Sequence, residues 1–259
     1  MDHRRVQRTL FRMQLDPEFA RRVRAGESEA VVGLGAGELR LLRDADPVAV
    51  SADRGGRRHA QFLANVSGEF SLSIAAGLDP EGFAASAELH DAIERDFSLP
   101  LAFSRYAQRC TKAAPSPLRA LVALETALAQ ARRELREMPA LRPGVVALAP
   151  WAWLEDVPGG TLALAAALRA ALDVGTGLPA PLVPPEPDEV LLVRASVAAA
   201  PFRLRDVEVE RLSPALAALL RAAHQPATRD DLAELVSTPR VELDPVIDAL
   251  LADRILVAG

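Results

Sequence analysis

Apolar residues change their spacing near residue 140, and no other feature limits the possible folds of this chain as strongly. Up to about Met138 they recur at steps of three and four, the period of a helix lying on a core. Beyond that point prolines recur at 139, 143, 150 and 158, and apolar runs of strand length appear. The expectation is an α+β protein in two parts. A helical bundle fills residues 1–140, and a small antiparallel sheet with a winged-helix-like module (213–259) fills residues 141–259.

In the first part the helix ends are written locally. Asp16-Pro17 sets a capping side chain before a proline at the first helical position, and the following FARRVRAG stops at Gly26. GELRLLRDADP predicts a short helix ending before Pro47. RRHAQFLANVSGEFSLSIAAG predicts a longer one through Phe62, Leu63, Val66, Phe70 and Ile74. SAELHDAIERDF starts at a Ser cap. SPLRALVALETALAQARRELREM, with Leu121, Leu124, Leu128 and Leu135 on one side, is the strongest amphipathic segment.

In the second part VVALA (145–149), EVLLVRASV (189–197) and FRLRDVEVERL (202–212) read as strands. The last alternates Val207 and Val209 inward with Glu208 and Glu210 outward. TLALAAALRAAL reads as a helix, and GTGLPAPLVPPEPDE (175–189) as an extended surface linker.

The tail, residues 213–259, predicts helices capped by Ser213 and Thr228, a helix starting at Asp244-Pro245, and a closing strand ILVA. This is the order of a winged helix-turn-helix, which makes a DNA-binding regulator the alternative function. Charge argues against it. From residue 228 onward Asp230, Asp231, Glu234, Glu242, Asp244, Asp248 and Asp253 face only Arg229, Arg240 and Arg254. A phosphate lattice repels such a surface, so no nucleic-acid partner is expected.

Half of the 259 residues are apolar, enough for a packed core, and the net charge is −5. One cysteine, Cys110, excludes an intrachain disulfide and suits the cytoplasm. The charged N-terminal run lacks the apolar core of a signal peptide, and the longest apolar stretch, TLALAAALRAALDV, is broken by Arg169 and too short to span a bilayer, so no membrane partner is expected. GLGAG (33–37) lacks the strand and glycine offsets of a dinucleotide loop. His3, His59, His90 and His224 stand apart, without metal-ligand spacing, and His90 with Glu94 reads as a solvated helix face. No catalytic constellation is evident, so neither catalysis nor a cofactor is expected.

The run VQRTLFRMQLDPEFARRVRAG and the following LGAGELRLLRDADPVAVSADRGGRRHAQFLANVSGEFSLSIA resemble the helical half of a known family. So do FAASAELHDAIERDFSLPLAFSRYAQ and ALETALAQARRELRE. The family comprises the partner proteins of multinuclear non-heme iron oxidative enzymes that modify ribosomally made peptides (RiPPs), with the methanobactin biosynthesis pair its best-known example. The resemblance implies a non-catalytic subunit of a heterodimer. Its barrel-shaped partner enzyme holds the irons and oxidises cysteine or neighbouring residues of the precursor peptide. The helical half would dock on that enzyme, and the second half would act as a RiPP recognition element, adding the leader as a strand to a sheet edge. The residues expected near the peptide are Val190, Leu192, Arg194, Val207 and Val209. The long proline linker and winged tail depart from shorter members of the family.

Overall fold

The computed structural model describes residues 3–27, 33–44, 64–66, 68–95, 97–114, 116–134, 136–138, 140–175, 186–196 and 205–259. The chain divides into two compact units, Met1–Leu118 and Arg119–Gly259. The division falls earlier than the change of texture near residue 140, because the long helix that precedes the prolines packs on the second unit's sheet.

The first unit is helical: α1 (His3–Leu15), α2 (Pro17–Ala25), α3 (Ala36–Asp44), α4 (Ser71–Ala75), α5 (Ala87–Arg95) and α6 (Leu99–Cys110), with a 3-10 turn at Glu81–Phe83. The caps work as the residues dictate. Asp16 Oδ1 accepts from the Phe19 amide at 2.9 Å, and Gly26 closes α2 at φ 81°. Ser86 Oγ accepts from the Leu89 amide at 3.2 Å. Val6, Met13, Phe19, Ala20, Val23 and Leu42 form one core. Phe70 and Phe83 meet Phe103 edge-on in another, with ring centroids 4.9 and 5.1 Å away.

The helix expected through Phe70 is interrupted there. Residues 64–66 and 68–69 are helical, but Phe70 leaves helical geometry (φ −118°, ψ 30°), and its ring is fully buried against Phe103. Phe62, Leu63 and Pro47 lie outside the described residues.

The second unit contains α7 (Ser116–Arg133, from Arg119 on), β1 (Val145–Leu148), β2 (Ala152–Gly159), α8 (Thr161–Val174), β3 (Glu186–Ala195), β4 (Val207–Arg211), α9 (Pro214–Ala222), β5 (Ala227–Thr228), α10 (Arg229–Leu235), α11 (Arg240–Ala252) and β6 (Leu256–Ala258). Its strands form two antiparallel three-stranded sheets, ordered β2–β3–β4 and β5–β1–β6.

β3 is the middle strand of the first sheet, and both its faces are covered. On one face Val193 and Ala195 pack with Ala127 and Ala131 of α7, joined by half-buried Trp153, Val207 and Val209. On the other, Leu192 and Ala152 join Leu219, Leu220, Leu232, Leu243, Ile247 and Leu250 of the three C-terminal helices. Covering both faces removes most of this apolar area from water, at roughly 25 cal/mol per Å².

Two sequence expectations are corrected here. The proline-rich stretch expected to be linker to residue 189 is strand from 186 onward; residues 176–185, 197 and 202–204 lie outside the described ones. α11 starts at Arg240, not at Asp244-Pro245, so Pro245 lies inside it. Its early turn is held by ion pairs from Asp244 to Arg240 (3.3 Å) and to Arg229 (3.2 Å), and Val241, whose carbonyl loses its partner amide to Pro245, is 79% exposed to water.

Candidate functional site

The antiparallel register decides which strand groups are available to a ligand. Ser196 donates to Asp206 O at 2.8 Å and Leu212 to Val190 O at 2.9 Å. With Arg194 opposite Glu208 and Leu192 opposite Glu210, the even-numbered residues of β4 bond to β3. The N–H and C=O of Val207, Val209 and Arg211 therefore point to the outer edge of the sheet. Among the described residues β4 pairs only with β3.

The opposite edge begins under a cover. The Arg136 guanidinium donates to the carbonyls of Ala149 (2.8 Å) and Ala152, and its amide bonds Pro150 O at 3.1 Å. Burial of that guanidinium lowers its pKa. The start of β2 is therefore occupied, whereas from Val207 to Arg211 the outer edge of β4 has no strand partner among the described residues; just before it the Arg205 amide bonds Arg132 O at 3.5 Å.

The residues expected at a peptide site fall in different surroundings. Leu192 is fully buried on the middle strand, where its role is packing. Val190 is half-buried against the same core. Arg194 lies on that face too, its Nη2 2.8 Å from Glu208 Oε2. Val207 and Val209 are half-buried on the α7 face, and their backbone groups belong to the open edge. Arg211, at the end of that edge, reaches the buried carboxylate of Glu189 at 3.3 Å. Its availability follows from register, which sequence alone does not reveal.

At the Val207 end lies a cleft of about 280 Å³ lined by Arg194, Ser196, Asp206, Glu208, Asp253 and Arg254, with Ala195 and Trp151 at its wall. Trp151 and Arg254 also line a neighbouring apolar groove of about 630 Å³, formed with Met138, Leu141, Leu251, Leu256 and Val257. Trp151 Nε1 donates to Arg254 O at 2.9 Å.

The outward side of α10 and α11 carries an ion-pair network. Arg229 reaches Asp244 (3.2 Å) and Asp248 (2.6 Å), and Arg240 reaches Asp230 (2.7 Å) and Asp244 (3.3 Å). Hydrogen bonds from Arg229, then Arg240, hold Asp244 below the usual carboxylate range. Both arginines are thus engaged by carboxylates of their own chain.

In the first unit, His90 is not the solvated residue expected beside Glu94. Arg12 Nη2 donates to His90 Nδ1 at 2.8 Å, and His90 Nε2 lies 3.1 Å from Asp16 Oδ2. Since the guanidinium can only donate, Nδ1 accepts and Nε2 carries the proton, so the ring is neutral. Burial and then the Arg12 charge lower its pKa. Arg12 also stacks on Phe19, 3.7 Å from the ring centroid. Cys110 is exposed, and the nearby Arg109 is held by Glu88 at 2.6 and 3.0 Å.

Among the described residues no group of three His, Cys, Asp or Glu side chains is placed to hold a metal, and no helix is long and apolar enough to cross a membrane. No known family model matches the chain, and no curated protein matches it.

Proposed function

We propose that this chain is the non-catalytic partner subunit of a multinuclear non-heme iron oxidative enzyme. The second unit takes up the leader of a ribosomally made precursor peptide, and the helical unit docks on the enzyme, all in the cytoplasm. The observation that carries the reading is the open outer edge of β4. A strand added there gains main-chain hydrogen bonds from Val207, Val209 and Arg211, while the Val207 and Val209 side chains pack with Val193 and Ala195 on the α7 face. Arg194 and the cleft at the Val207 end lie beside that path.

In this reading the C-terminal helices α9, α10 and α11, with β5 and β6, are a winged-helix-like module whose central strand, β1, comes from upstream. The engaged arginines of its outward helices favour a peptide-binding role over DNA readout, since neither is available for phosphates without breaking two ion pairs.

The test is affinity purification of the tagged chain from its host, with mass spectrometry and iron analysis. The reading expects a roughly equimolar iron-containing enzyme, a short co-eluting peptide, and no iron on the isolated chain. Tight iron on the isolated chain, or recovery with DNA that salt removes, overturns it.

A further inference from the structure

We infer that the edge of β4 reads side chains as well as backbone, selecting peptides in which a lysine or arginine adjoins two apolar residues spaced one position apart. This rests on the peptide-capture reading and adds the chemistry of the peptide.

The length of the site comes first. The outward N–H and C=O groups of Val207, Val209 and Arg211 have no strand partner among the described residues. Arg205, the preceding residue of the same parity, closes that end: its amide bonds Arg132 O at 3.5 Å, and its Nη1 donates to Glu134 O at 3.4 Å. At the other end the Leu212 amide bonds Val190 O and Ser213 caps α9. A docked strand is therefore confined to residues 207–211.

The side chains of such a strand fall beside those of β4, alternately on the two faces of the sheet. On the α7 face they meet Val207 and Val209, whose half-buried side chains leave apolar surface for a further neighbour to cover. Arg211 follows on that face, already engaged by Glu189 at 3.3 Å. Two apolar residues, one position apart, fit beside the valines.

On the opposite face β4 and the residue before it present Asp206, Glu208 and Glu210, all exposed. Arg194 engages Glu208 at 2.8 Å, and Asp206 shares its cleft with Arg194 and Arg254. Glu210 stands opposite Leu192, which brings no charge, and has no ion-pair partner among the described residues. In an antiparallel addition Glu210 forms a non-hydrogen-bonded pair, with its facing Cα about 4.5 Å away and the side chains at their closest. A cation there gains a cross-strand ion pair, and a carboxylate is repelled. The residue facing Glu210 adjoins the one facing Val209, which fixes the order from the Arg211 end: cation, apolar, any residue, apolar.

The experiment is selection of an mRNA-displayed library of random linear peptides on the immobilised full-length chain, alongside Val209→Pro, Glu210→Lys, Glu210→Gln and Glu242→Lys. Glu242, exposed on α11, is the control that changes net charge equally but away from the edge. The wild type should enrich Lys or Arg next to the apolar pair by about 3-fold over other positions. Glu210→Gln should erase that preference, and Glu210→Lys should exchange it for Asp or Glu, a swing of about 10-fold, while Glu242→Lys keeps it. If peptides that depend on Val209 keep the cation in both Glu210 variants, or lose it equally in Glu242→Lys, the side-chain reading is wrong and the capture reading stands. Enrichment without a cation in the wild type likewise overturns the side-chain reading alone. If the wild type enriches nothing, or its peptides bind Val209→Pro as well, both fall.

Discussion

Proline at position 209 separates an open edge from a structural strand. The Val209 N–H points away from β3, so Val209→Pro leaves the β3–β4 ladder intact and is tolerated at a sheet edge. The folding cost is confined to part of one half-buried valine packed with Val193 and Ala195, about 1 kcal/mol. The binding cost is larger in proportion. A docked strand loses the Val209 donor, and the ring holds it away from the Val209 carbonyl. At about 0.5–1.5 kcal/mol for each net hydrogen bond, the loss is about 1–3 kcal/mol, or roughly 5- to 150-fold in Kd. Glu210→Pro is the contrasting variant. Its N–H faces Leu192, so proline there breaks the ladder and should cost the fold about 2 kcal/mol or more while Val209→Pro costs about half that. Urea melts give the folding terms. Calorimetric titration with the peptide that co-elutes with the chain gives the binding term. A folded Val209→Pro chain that binds within about twofold of wild type would refute strand addition at β4.

Other outcomes follow from the packing. The neutral His90 ring has a lowered pKa, so the unfolded chain binds the extra proton; its contribution is complete above the unfolded value of about 6.5 and declines as pH falls below it, by at most about 1.4 kcal/mol per pH unit. Melting curves of wild type and His90→Ala from neutral to mildly acid pH should converge on acidification; parallel curves would contradict the neutral tautomer. Leu192→Ala, truncating a fully buried side chain among the C-terminal helices, should destabilise by about 2–5 kcal/mol in urea titration. Thr228→Ala removes one half of a reciprocal cap, in which Thr228 Oγ1 accepts from the Asp231 amide (3.1 Å) and Asp231 from the Thr228 amide (2.9 Å), at about 1 kcal/mol. Arg254→Gly should instead gain about 1 kcal/mol by relieving the left-handed backbone.

What the sequence made legible was local. Asp16, Ser86, Ser213 and Thr228 each cap a helix because the bond they make spans three residues, and such short-range chemistry needs no knowledge of the fold. The alternation of Val207 and Val209 with Glu208 and Glu210 likewise gave β4 its two faces. β2 is not legible in the sequence because AWLEDVPG mixes charges with a proline. That proline is tolerated where the register shifts, between Val157 and Gly159. The bonds of His90 to residues more than seventy positions away follow from how α1, α2 and α5 pack, as the availability of β4's edge follows from register. The burial of Leu192, expected near the peptide, is hidden for the same reason: alternation assigns it a face, but whether that face is covered depends on helices far along the chain.

The most direct measurement is amide hydrogen exchange along β4, read residue by residue by NMR, before and after adding the co-eluting peptide. The account predicts that Val207, Val209 and Arg211 exchange fast in the free chain and slow markedly with peptide, while Glu208 and Glu210, bonded to β3, are slow throughout. Slow exchange at Val209 in the free chain would mean the edge is already taken, and unchanged exchange on saturation would place the peptide elsewhere.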